Sequence, residues 1–102
     1  MASQEQTNGV YMVDRDLPGI TMEQLAAAQR AAIETSQRFT AEGQPVRYLR
    51  SMFVPGESRL MCLFEAPDAG RVRAVNERAQ LPFTRIVEAL DLTPEASVAS
   101  RQ

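Results

Sequence analysis

The sequence predicts an α+β domain of order βαββαβ: a four-stranded antiparallel sheet with two helices on one face. Three observations point there. Apolar residues change period five times along the chain, between strand-like alternation and helical spacing. Each change is marked by a cap or a turn, and no internal repeat breaks the series. The 102 residues, 44% hydrophobic and 24% charged, suit one soluble domain over residues 9–92. Flexible tails are expected over residues 1–8 and 93–102, where Val98 is the one large apolar side chain beyond the starting Met1.

A first strand is expected over residues 10–16, followed by a turn at Leu17-Pro18-Gly19. Thr21 with Gln24 three residues on forms a capping box, and Ile20 is placed to staple onto Leu25. Met22, Leu25, Ala26, Ile33 and Phe39 then form an apolar stripe, and Gly43 supplies a stop, so a helix is expected over residues 22–42. Residues 46–54 and 59–66 read as two strands of a hairpin joined through Pro55-Gly56-Glu57-Ser58. Asp68 caps a second helix bearing Val72, Val75 and Ala79 on one face, ended by Leu81-Pro82. A last strand is expected over residues 84–92, although Ile86 to Leu90 also fits a helical turn. This order is the ferredoxin-like, split βαβ arrangement.

Such a sheet keeps one face free of helices. Alternation sends Val13, Leu49, Phe53, Met61, Leu63, Val87 and Ala89 to the helices. It leaves Met12, Asp14, Tyr48, Arg50, Met52, Leu60, Cys62, Phe64, Ile86 and Glu88 opposite. Four strands of about six residues give a face on the order of 400 Å², large enough to mark an interaction site. If half is apolar, its burial contributes roughly 5 kcal/mol per subunit before association costs. A homodimer through the open sheet face, a dimeric α/β-barrel-type assembly, is the expected partnership.

Composition narrows the function classes. The net charge of −2 and 11 scattered Lys and Arg residues provide no basic stripe, so no nucleic-acid partner is expected. With no basic flank ahead of an apolar run and no run of membrane-spanning length, a cytoplasmic protein without membrane association is expected. Histidine is absent, which removes the side chain most used for proton transfer near neutral pH and the commonest metal ligand. Cys62 is the only cysteine, so no internal disulfide forms; it lies in an apolar strand with no histidine or lysine nearby in sequence and reads as a packing residue.

The candidate ligand-binding residues are Asp14, Gln29, Tyr48, Arg50, Cys62, Asn76 and Glu88. On the open face, Arg50 would hold an anion or carboxylate and Tyr48 would offer a hydroxyl; the structural alternative is an interface ion pair of Arg50 with Asp14 or Glu88. Gln29 and Asn76 interrupt apolar stripes, so their amides must find hydrogen bonds, to a small polar ligand or to a neighbouring loop or sheet edge. Arg15 and Asp16 read as a solvated pair. No catalytic residue and no cofactor is assigned, and the chain contains no phosphate loop and no nucleophile elbow.

At residues 13–21 (VDRDLPGIT), 62–67 (CLFEAP) and 76–79 (NERA) the chain resembles the DUF4242 family of small bacterial proteins, which includes a nickel-binding protein. The resemblance spans residues 10–92 and implies a ferredoxin-like fold and a homodimer. The histidines of the metal-binding branch correspond here to Arg15 or Asp16, Gln29 and Asn76, of which arginine is no ligand and amides suit nickel poorly. The expected function is therefore a homodimeric domain binding a small anionic or apolar molecule. Two alternatives stand beside it: a cofactor-independent oxygenase or isomerase using Tyr48, Arg50 and Glu88, and a divalent-metal binder using Asp14, Asp16 and Glu88.

Overall fold

The structure, a computed structural model, describes residues 8–94. The elements run β1 (Gly9–Asp16), α1 (Met22–Ala41), β2 (Arg47–Val54), β3 (Arg59–Ala66), α2 (Ala69–Arg78) and β4 (Arg85–Ala89), with a short 3₁₀ turn at Pro55–Glu57. The strands form one antiparallel sheet in the order β2-β3-β1-β4. This is the expected βαββαβ, ferredoxin-like architecture. The tails expected over 1–8 and 93–102 lie outside the described residues, apart from Asn8, Thr93 and Pro94. Among the described residues no helix is long and apolar enough to cross a membrane.

Local sequence sets the helix ends. The Thr21 side chain accepts from Gln24 N at 3.0 Å while Thr21 N donates to Gln24 Oε1 at 3.0 Å, a complete capping box. Gly43, at φ +86°, turns the chain out of α1 in a conformation that costs a Cβ-bearing residue about 1 kcal/mol or more. Asp68 caps α2 by accepting from Arg71 N at 2.8 Å.

The core lies between the helices and one sheet face. Val13, Phe64, Val72 and Val75 are fully buried there, with Phe39, Leu60 and Cys62 nearly so. Each large side chain so buried contributes roughly 1.5–3 kcal/mol.

The register corrects several face assignments. In β3 the residues turned to the helices are Leu60, Cys62, Phe64 and Ala66, all buried; Met61 and Leu63 face the other way. Both alternating sets are apolar at mid-strand, so alternation there does not choose. The strand ends decide, because the set holding Met61 and Leu63 also holds Arg59 and Glu65, which need water or ion partners. In β4, Ile86 packs on the core and Val87 does not, reversing their expected places. Glu88 stands opposite Tyr11 and is exposed at the sheet edge, off the open face.

In β2 the pairing steps from Tyr48↔Phe64 to Arg50↔Leu63, so Leu49 is an extra residue in a β-bulge. The bulge sends Tyr48 and Arg50, two residues apart, to opposite faces. Tyr48 joins the helix side, its ring edge-on to Phe64 at 5.6 Å between centroids. Arg50 and Met52 remain on the open face, as alternation predicts.

The stripe expected on α1 is also shifted. Ala32, Thr35, Ser36 and Phe39 are its buried residues, while Met22 stays 72% exposed, because the first half of the helix stands away from the sheet.

Candidate functional site

The gap under that first half of α1 is a cavity of about 250 Å³. It exists because α1 presents Ala26 and Ala28 to it, side chains too short to fill the space. The opposite wall is formed by Phe53, Leu60, Ser51 and Cys62 of the hairpin. The walls are thus largely apolar, with a few polar groups set among them.

Two polar systems meet the cavity. The first is a relay of side chains along its rim: Gln29 Nε2 donates to the Tyr48 hydroxyl at 2.9 Å, that hydroxyl lies 2.5 Å from Ser51 Oγ, and Ser51 Oγ donates to Cys62 Sγ at 3.1 Å. The relay satisfies the polar atoms of β2 and β3 that face the helix layer.

The second is Arg15, which lines the cavity and is 1% exposed. Its NH2 donates to Asn76 Oδ1 at 2.6 Å and its NH1 to the Pro82 carbonyl at 3.0 Å, while Nε, also buried, has no acceptor. Asn76 is itself fully buried and fixed by donating Nδ2 to the Val72 carbonyl at 2.8 Å. The expected solvated pair of Arg15 and Asp16 is therefore corrected: Arg15 is inside and Asp16 outside. The alternation that turns Val13 to the helices turns Arg15 with it, and the chain between α2 and β4 covers it.

The open face holds a separate charged group. Asp14, 6% exposed, accepts Arg59 Nε and NH2 at 2.9 Å each, and Arg85 Nε at 3.2 Å. The Arg59 hydrogen bond is the main cause holding the Asp14 carboxyl below its ordinary value of 3.8; burial opposes the shift and Arg85 adds to it. Arg50 is ion-paired to Asp91, which corrects the expected partners Asp14 and Glu88.

Of the seven candidate residues, Gln29 and Cys62 line the cavity, Tyr48 reaches it through Gln29 and Ser51, and Asn76 reaches it through Arg15. Asp14 and Arg50 occupy the opposite face, and Glu88 the edge of β4. Tyr48, Arg50 and Glu88 are thus not brought together, nor is Asp14 with Glu88. Arg15 and Ser51 are the site residues that sequence reasoning missed; for Arg15 the signal was its even spacing from Val13.

Residues 11–89 match the family described as nickel responsive protein SCO4226-like. The chain is also similar to the crystal structure of SCO4226 from Streptomyces coelicolor A3(2), with a TM-score of 0.69 and 26% identity, over 82% of this chain and 99% of that one. No curated protein matches the chain.

Proposed function

The chain belongs to the SCO4226-like family of nickel-responsive proteins, and from that premise we propose that it is a homodimeric small-molecule-binding domain whose site is the cavity beneath α1. The observation behind this reading is convergence. Arg15, Gln29, Ser51 and Cys62, drawn from four different elements, line one mostly apolar space, and Tyr48 and Asn76 hold them in place. Its 250 Å³ is about the share of eight waters, which suits a metabolite-sized molecule rather than a drug-sized one.

A resident nickel ion does not fit these residues. The chain has no histidine, and among the described residues no group of three or more Cys, Asp or Glu side chains is placed to hold a metal ion. The charged group in the cavity wall is a guanidinium, which repels a cation instead of coordinating it.

The homodimer is supported by the open face. Met12, Met61, Leu63 and Val87 stand side by side there with Met52, which is 65% exposed. The charges around them are already matched within one copy: Asp14 and Glu57 with Arg59 and Arg85, Arg47 with Glu65, and Arg50 with Asp91. Two such faces close together without stranding a charge. The resemblance to DUF4242 proteins agrees with this assembly.

The test is native mass spectrometry and thermal-shift screening of tag-free protein against a metabolite library, with Ala28→Leu as the cavity-filled control. Dimers that retain or bind a small molecule, and lose it in Ala28→Leu, support the reading. Stoichiometric nickel binding tighter than about 10 μM (roughly 7 kcal/mol) overturns it in favour of a metal protein.

A further inference from the structure

Arg15 differs from the four arginines that hold ion pairs. Arg47, Arg50, Arg59 and Arg85 each meet a carboxylate, yet all are partly or largely exposed. Among the described arginines Arg15 alone is buried, and its acceptors are a neutral amide and a neutral carbonyl. A buried cation without a counter-charge is costly. Two of its five N–H groups are engaged, and the orphaned Nε–H belongs to a side chain that borders the cavity. The site is built to hold the guanidinium still: Asn76 is locked to α2, and the Pro82 carbonyl is fixed by the loop that crosses the end of β1.

The geometry points to a small organic carboxylate as the ligand of this cavity, its charged head on Arg15 and its apolar body against Leu25, Phe53 and Leu60. This inference rests on the cavity being the binding site. A carboxylate supplies the missing negative charge and accepts from the free N–H groups of the planar fork. The hydrocarbon lining accounts for the remainder of the space and disfavours a bare inorganic anion, which would leave it empty. The hydroxyl of Ser51 and the amide of Gln29 lie in the same wall, where they can distinguish among substituents on the body.

The experiment follows the Arg15 Nε–H resonance by ¹H–¹⁵N NMR of the full chain during titration with acetate, hexanoate and benzoate, against hexanamide, benzamide, inorganic phosphate and Ni²⁺. The expected result is a saturable shift of that resonance with hexanoate and benzoate, at least about tenfold weaker with the matched amides and with phosphate. Arg15→Met weakens benzoate binding by at least about 30-fold. Because Arg15 also braces Asn76 and Pro82, that variant can lose its fold; the wild-type titration and Ala28→Leu, which keeps Arg15 but fills the space, then decide. Loss of benzoate binding in Ala28→Leu supports the inference. Amides that bind as well as carboxylates, in a manner Ala28→Leu abolishes, overturn the carboxylate and leave the binding domain standing. A chain in which no compound perturbs Arg15 and Ala28→Leu changes nothing overturns both.

Discussion

Arg15 on β1 and Asn76 on α2, 61 residues apart, are joined by a 2.6 Å hydrogen bond inside the protein. The bond ties the second helix to the sheet and orients the guanidinium at the cavity wall. Asn76→Ala removes the acceptor and deepens the isolation of a buried charge. A loss of about 2–4 kcal/mol is expected, read as a lower urea midpoint with unchanged slope.

Cys62 is buried and accepts a hydrogen bond from Ser51. Its thiol is expected to react with iodoacetamide at least about 100-fold more slowly in the folded protein than in urea, since Cys62 is only 3% exposed and a molecule in the cavity can touch little of its sulfur. Ser51→Ala, which removes the donor but not the burial, leaves most of that protection in place. Rapid labelling of the native protein would mean that the sulfur itself stands open to the cavity.

Phe64, fully buried beneath the helices, is a core residue and not part of the proposed dimer face. Phe64→Ala is expected to cost about 3–5 kcal/mol. Met52→Asp, at an exposed position, is expected to leave the fold intact and convert dimers to monomers, as measured by light scattering across a dilution series. A Met52→Asp protein that remains dimeric would remove the open face as the interface.

Asp14 carries a pH dependence of known sign. Its folded carboxyl lies below the ordinary 3.8, so the ionised form is favoured by folding. That stabilisation is fully present above about pH 4 and is lost as pH falls through the depressed folded value. Asp14→Asn is expected to lower the melting temperature at neutral pH and to flatten its fall below about pH 4. Identical acid profiles for both proteins would show that other carboxyls govern acid unfolding.

The order of elements and most of their ends were legible in the sequence because their causes are local; the last strand is the exception, ending at Ala89 and not at residue 92. Thr21 and Gln24 cap α1 within one turn, Asp68 caps α2 three residues from its partner, and Pro55-Gly56 bends the hairpin where the two apolar runs part. Those short-range signals were enough for βαββαβ, and the helix-facing side of β1 followed from Val13. Tertiary structure decided what local pattern left balanced. Leu60, Cys62 and Phe64 turn inward over Met61 and Leu63 because only their set can be buried without taking Arg59 and Glu65 with it. The bulge at Leu49 separates Tyr48 from Arg50 because β2 must pair with that register. The cavity and its unpaired cation depend on contacts from Arg15 to Asn76 and Pro82, 61 and 67 residues away. No local pattern encodes that pairing: it arises only when β1, α2 and the chain before β4 close over one side chain and exclude water from it.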